Sequence, residues 1–299
     1  MSHVLILISA PDDPAVDDSL LARIADAAGA DATQAQILAP GKAAELPLKS
    51  GVDAAGAARA AAEAHAGLPV DSVVLPAANR RKRLLLADMD STMIQQECID
   101  ELADRLGRKA DVAAITEKTM RGDIDFPTAL RSRAAMVAGL PASIIDEVFD
   151  SAITFTPGGA TMIATLRQAG IYTALVSGGF TDFTSRVRGR LGFDEDRANR
   201  LVIDDGGRLT GGVHDPILDS SAKRTALDEL AGRLGIGPAD AAALGDGAND
   251  CDMIAHAGLG IGYRPKPKLA AVADAILHHA DLTGVLYLMG FREAEFAAA

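Results

Sequence analysis

Three short apolar runs, each ending at a cluster of small or acidic residues, limit what this chain can fold into. Leu84-Leu85-Leu86-Ala87 leads into Asp88-Met89-Asp90-Ser91-Thr92, and Ile171-Tyr172-Thr173-Ala174-Leu175-Val176 leads into Ser177-Gly178-Gly179. Ala241-Ala242-Ala243-Leu244 leads into Gly245-Asp246-Gly247-Ala248-Asn249-Asp250. An unbroken apolar run of this length reads as a strand buried on both faces, as in parallel sheets covered by helices. Reacting groups in open α/β sheets collect beyond the carboxyl ends of such strands. The pattern therefore predicts an α/β fold built on a doubly wound, mostly parallel Rossmann-like sheet, with the polar clusters in loops at one end.

The residue types in those loops suggest a chemistry. A carboxylate at a strand end can attack an electrophile, while a second one nearby binds a metal or passes a proton. Asp-x-Asp-x-Thr alone would arise by chance in roughly 4 of 100 chains of this length at average usage, so it needs support from elsewhere. Ser177 with the amides of Gly178 and Gly179 suits an anion. Asp88, Asp90 and Asp246 make a hard oxygen set suited to Mg²⁺, which keeps several waters and takes few carboxylates plus substrate phosphate. Lys223, after Ser220-Ser221-Ala222, opens a helical pattern and supplies one cation. Its position is unfavourable for the helix dipole, which hints at function beside an anion site.

These four segments, in this order, resemble the motifs of the haloacid dehalogenase superfamily. Asp88 to Arg133, with Ile99-Asp100-Glu101-Leu102 and Met120-Arg121-Gly122, is similar to the phosphoserine phosphatases of the bacterial biosynthetic type, and Ala257-Gly258-Leu259-Gly260-Ile261 continues the likeness. It covers roughly residues 80 to 290, with no departure at a catalytic position. The resemblance implies Mg²⁺-dependent hydrolysis of O-phospho-L-serine to L-serine and phosphate, the last step of serine biosynthesis. Asp88 would attack phosphorus to form a phosphoaspartate, Asp90 would act as acid and then base, and Lys223 would neutralise charge. The ion would be held by Asp88, Asp246 and the backbone carbonyl of Asp90, with Asp250 supporting that shell. Glu97 and Arg133 would take the substrate's ammonium and carboxylate. Ser177, Gly178 and Asn249 would complete the phosphate and substrate contacts, and Met120 and Phe126 would line an apolar wall. Arg131 and Arg133 cannot share a helix face, so only one should point inward.

The first 80 residues read differently. Val4–Ser9 is strand-like, 19–28 helical after cap-like Asp17 and Asp18, 33–38 and 45–49 extended, 52–66 helical and 70–75 extended. This βαββαβ order is the ferredoxin-like arrangement, and its place resembles the ACT-like domain ahead of many bacterial phosphoserine phosphatases. The expected division is residues 1–79 as that domain and 80–299 as the phosphatase domain, with a helical cap at about 98–155. A structural or dimerising module, giving a homodimer, is expected in preference to a working amino-acid sensor. Residues 199–203 and 208–213 read as a hairpin on the catalytic domain.

With 299 residues and a net charge of −12, the chain is a poor candidate for a nucleic-acid partner. The basic run Arg80-Arg81-Lys82-Arg83 reads as a solvated linker. Cys98 and Cys251 are too few for a disulfide framework, and no basic leader precedes the first apolar run. No apolar stretch is long enough to span a membrane, so the expected location is cytoplasmic. Two rivals stand beside this reading: a phosphatase or phosphotransferase for another small phosphomonoester such as phosphohomoserine, and a non-catalytic amino-acid-binding regulatory protein. The second should have lost Asp88, Asp90 or Lys223, and none is lost.

Overall fold

The computed structural model describes residues 2–121 and 123–298, with the side chains of residues 113, 117 and 119–121 outside the description. The N-terminal part runs β1 (His3–Ser9), α1 (Asp18–Ala28), β2 (Gln36–Ala39), β3 (Ala43–Pro47), α2 (Ala54–Ala64) and β4 (Val70–Pro76). Its sheet is antiparallel in the order β2-β3-β1-β4. Helix α1 starts where the Asp17 carboxylate accepts from the Leu20 amide at 2.8 Å, and it stops at Gly29, which adopts the left-handed φ of 67°. Its buried face is Leu20, Leu21, Ile24, Ala25 and Ala28. Two boundaries differ from the sequence reading. Residues 32–34 form a 3₁₀ turn because the Asp31 carboxylate captures the Thr33 amide and hydroxyl, so β2 begins only at Gln36. Strand β3 lies about two residues earlier than expected.

The larger part begins with β5 (Leu84–Ala87) and continues into four helices, α3 (Cys98–Asp104), α4 (Lys109–Arg121), α5 (Phe126–Met136) and α6 (Ile144–Ala152). The two connections to this cap run side by side: Ile94 bridges Phe155, and Gln95 donates its amide to the Thr154 carbonyl at 2.9 Å. The chain then alternates α7 (Gly159–Gln168), β6 (Tyr172–Phe180), α8 (Thr181–Leu191) and β7 (Glu195–Asn199). After β8 (Leu201–Ile203) and β9 (Leu209–Val213) come α9 (Ser220–Arg233), β10 (Ala241–Gly245), α10 (Cys251–His256), β11 (Leu259–Tyr263), α11 (Pro267–Ala270), β12 (Ala275–Leu277) and α12 (Gly284–Leu288). Six strands form a parallel sheet, β12-β11-β10-β5-β6-β7. Residues 84–87 and 241–245 are wholly buried, which explains their unbroken apolar runs. Because the chain builds outward from β5 in both directions, the switch point lies at β5 and β10, where such sheets open a crevice.

Three features depart from the sequence reading. Strand β6 does not stop at Val176 but runs through Ser177-Gly178-Gly179 to Phe180, with its pairing to β7 shifted between Val176 and Phe180. The hairpin is β8 and β9 alone, since Asn199 belongs to β7, and it grips the cap: the Leu209 amide donates to the Leu140 carbonyl at 2.9 Å and the Gly139 amide to the Leu209 carbonyl at 2.7 Å. The basic run is solvated only in part: Arg81 and Arg83 are exposed, whereas Arg80 and Lys82 turn inward. Arg80 pairs with Glu45 and donates to the Leu288 and Tyr287 carbonyls, while buried Lys82 donates to the Ala239 carbonyl.

The two sheets also share a core. Leu5, Leu7, Ala44 and Leu46 pack under α1 and α2, whereas Val4, Ile6 and Ile8 face the other way into the same cluster as Leu85, Leu286 and Met289. Burying those three side chains is worth roughly 5 to 9 kcal/mol, an upper figure because an unfolded chain is partly compact.

Candidate active site

Strand β5 delivers Asp88 to the sheet's carboxyl edge, where Asp246 follows β10 and Lys223 lies in the first turn of α9. Lys223 is 1% exposed and bridges two carboxylates, reaching Asp88 Oδ1 at 2.7 Å and Asp250 Oδ1 at 2.6 Å. Burial opposes the Lys223 charge, but Asp250 and Asp88 overcome it and push its pKa up. Asp88 Oδ1 also accepts from the Met89 amide at 2.8 Å, while Oδ2 has, among the described residues, only a long contact, 3.5 Å, to Asn249 Nδ2. One nucleophile-grade oxygen is thus pinned and the other is left comparatively free.

Carboxylate oxygens of Asp88, Asp246 and Asp250 lie within 4.8 Å of one another, all buried. Like charges at that spacing repel by roughly 3 kcal/mol per pair at an effective dielectric of about 20, so the two ammoniums of Lys223 and Lys266 do not balance three acids. The crowding shows in the raised pKa of Asp250 and of Asp246. Burial, then the neighbouring Asp88, lifts Asp250 to about 7 against the pull of Lys223. Burial also raises Asp246, opposed mainly by Lys266. A hard divalent cation relieves this arrangement, and an all-oxygen donor set of this size fits one.

Gly245 is required by the same packing: a Cβ there would meet Asp250 Oδ2 at 2.4 Å.

Asp90 points elsewhere. Its Oδ1 accepts from the Cys98 amide at 3.1 Å, and its side chain is not part of the three-carboxylate cluster. Burial, followed by Glu97, raises its pKa well above the ordinary carboxylate range, which favours the protonated form. Ser91 sits between them at φ 55°, a strained value for a non-glycine residue, and its hydroxyl donates to Glu97 Oε1 at 2.9 Å. Burial raises Glu97 as well.

The cap side is formed by α5. Arg131 is spent on the hairpin, donating to Asp215 and to the Val213 carbonyl. Arg133 Nε is buried and, among the described residues, has no hydrogen-bond partner. Phe126 reaches down to Gly178, where a Cβ would lie 3.0 Å from the ring's Cζ. The glycine therefore lets the cap close onto β6. The Ser177 hydroxyl accepts from the Gly179 amide at 2.9 Å, and the Gly178 carbonyl accepts from Asn199 Nδ2 at 2.8 Å. The Met120 side chain lies outside the described residues.

Two residues at the site were not singled out from sequence. Asn199 ties the Gly178 carbonyl to the Leu218 carbonyl and amide, and Lys266 meets Asp246 Oδ2 at 3.0 Å. Neither carries a local signal, since an asparagine at a strand end and a lysine between prolines both read as ordinary loop chemistry.

The fold and this carboxylate cluster are those of a hydrolase, and the chain belongs to the haloacid dehalogenase-like hydrolase family, whose profile matches residues 85–255. Among characterised relatives it is 44% identical over 211 residues to a phosphoserine phosphatase of Polaromonas, covering 69% of this chain and 89% of that one. It is also 44% identical over 241 residues to phosphoserine phosphatase SerB2 of Mycobacterium tuberculosis, covering 81% of this chain but only 58% of the relative's length. A haloacid dehalogenase family hydrolase of Salmonella enterica serovar Typhi superposes with a TM-score of 0.85 at 28% identity, covering 96% of this chain and 98% of that one. A phosphoserine phosphatase solved as a phospho-aspartyl intermediate analogue gives 0.64 at 38% identity, covering 69% and 98%. Among the described residues, no helix is long and apolar enough to cross a membrane.

Proposed function

We propose that this enzyme hydrolyses O-phospho-L-serine to L-serine and inorganic phosphate through a phosphoaspartate at Asp88, with Mg²⁺ as the ion. The observation that carries the reading is Lys223 locked between Asp88 and Asp250 inside a three-carboxylate cluster at the switch point. The same phosphatase activity is named for relatives at 44% identity.

Asp88 Oδ2 is the freer oxygen and is the one available to attack phosphorus. A carboxylate approaching a phosphate dianion is repelled, and Lys223 lowers that barrier while fixing the Asp88 orientation. As the new P–O bond forms, the ester P–O bond breaks and the serine alkoxide takes the proton that Asp90 carries. Asp90, now ionised, removes a proton from water, which attacks the phosphoaspartate and releases phosphate with Asp88 restored. Mg²⁺ would be held by Asp88, Asp246 and the Asp90 carbonyl, with Asp250 behind them, and would supply further charge neutralisation at the phosphate.

Arg133 and Glu97 give the substrate preference. A guanidinium with an unpartnered Nε suits a carboxylate, and Glu97 suits an ammonium. Ser177, Gly178 and Asn249 serve the phosphate, with Phe126 and Met120 on the apolar side. Residues 1–79 act as a structural module through which two copies would associate, 80–299 as the phosphatase domain with its cap near 98–155, and the free thiols Cys98 and Cys251 suit a reducing cytoplasm. Phosphate release from a panel of phosphomonoesters, with and without Mg²⁺, tests the reading. Strong preference for phosphoserine and dependence on the ion are expected; equal rates on esters lacking an amino group would remove the substrate assignment.

A further inference from the structure

The site holds two lysines, and they are held in opposite ways. Lys223 is 1% exposed and is enclosed by two buried acids, so it is a permanent part of the cluster. The Lys266 side chain is 50% exposed and, among the described residues, touches a single acid, Asp246 Oδ2, at 3.0 Å. Its backbone is nevertheless fixed: the Lys266 amide donates to the Asp246 carbonyl at 2.8 Å, and the preceding turn is pinned by the Arg264 amide on the Leu277 carbonyl at 2.8 Å. Arg264 itself takes the left-handed φ of 43°. A half-exposed ammonium is therefore held from a hydrogen-bonded turn directly beside one acid of the ion site, within electrostatic reach of Glu97 and Asp250 as well.

We propose that Lys266 is the exchangeable counter-charge of the divalent-ion site. It neutralises Asp246 while the ion is away, and its positive charge weakens ion binding so that the ion stays exchangeable. The inference rests on the metal reading of the Asp88, Asp246 and Asp250 cluster. With all three acids ionised, Lys223 alone leaves a net charge of −2 and Lys266 reduces this to −1, so the ion is drawn in less strongly with Lys266 present. The lysine half of this pair is 50% exposed although Asp246 is buried, so the ammonium can return to water when the ion takes its place. A buried lysine in the same place would block the site.

The test is calorimetric titration of MgCl₂ into the full-length enzyme, the Lys266→Met variant and the Lys266→Arg variant, with melting temperatures measured in chelator and in Mg²⁺. Lys266→Met should bind Mg²⁺ about tenfold more tightly, melt lower than the parent in chelator because Asp246 has lost its counter-charge, and gain more from the ion. Lys266→Arg, which keeps the charge, should stay within about threefold of the parent. Equal or weaker binding by Lys266→Met overturns the proposal while leaving the metal reading intact. Failure of the parent to bind Mg²⁺ in either measurement overturns both. If Lys266→Met does not fold, Lys266→Gln gives the same comparison.

Discussion

Asp71, at the seam between the two sheets, and Asp88, at the end of β5, are both carboxylates below a tenth exposed, yet their surroundings differ in kind. Asp71 accepts four hydrogen bonds at 2.9–3.2 Å from the amides of His278, His279 and Ala280. Its charge is met by neutral donors fixed in the backbone, which is what a structural acid needs. Asp88 shares one ammonium with Asp250, faces Asp246, and keeps an oxygen with only a long contact. A group left short of partners is poised to react or to bind. Burial alone does not mark function; the completeness of a buried acid's hydrogen bonding does.

The sharpest way to break this contrast is to exchange the consequences of losing each acid. Asp88→Asn should lower phosphoserine turnover by on the order of 10⁴-fold or more in a phosphate-release assay while leaving the protein folded; near-normal turnover would refute the role of Asp88. Asp71→Ala leaves three amides without an acceptor and should cost roughly 3 to 5 kcal/mol in denaturant unfolding, with kcat of the folded fraction retained. If Asp71→Ala instead removed activity at unchanged stability, the division between seam and site would fail.

A smaller effect sharpens the substrate side. Arg133→Ala should raise KM for phosphoserine by roughly 10- to 100-fold, since a charge-assisted hydrogen bond is lost, and should leave KM for a phosphate ester without a carboxylate nearly unchanged. Equal effects on both esters would contradict the assignment.

The smallest effect concerns pH. Asp250 titrates near 7 in the ion-free fold against 3.8 unfolded, because of burial first and Asp88 second. Between those values the folded state holds more protons than the unfolded one, so stability is greatest below the unfolded value and falls as pH rises toward 7. The Asp250 contribution to the slope should reach at most about 1.4 kcal/mol per pH unit in chelator, with raised Asp246, Asp90 and Glu97 acting in the same direction, and the slope should flatten in Mg²⁺. Denaturant unfolding across pH 4 to 7 measures it, and a rise in stability over that range in chelator would count against the crowded-carboxylate account.

The same contrast explains what the sequence revealed. The strand ends bearing Asp88 and Asp246 were legible because a doubly buried strand needs an unbroken apolar run, and its end is visible where the run stops, whereas the run before Ser177 stops at Val176 although the strand continues to Phe180. The hairpin's grip on the cap and the seam were not. Arg80 and Lys82 look like solvated charges in a basic run, and only their distant partners, the carbonyls of Tyr287, Leu288 and Ala239, make them internal. Asp71 gives no hint in sequence either, since its partners are amides some two hundred residues away. Lys266 belongs to the same class: it matters through a fold-level contact with Asp246, and nothing in Arg264-Pro265-Lys266-Pro267 foretells it.

The account turns on covalent catalysis by one side chain. Rapid acid quench of the enzyme during turnover of phosphoserine in Mg²⁺, followed by peptide mass spectrometry, addresses it directly. The phosphoryl group should be found on the peptide carrying Asp88 and be absent in Asp88→Asn. Phosphate on a different residue, or turnover with no phosphorylated enzyme at any quench time, would contradict it.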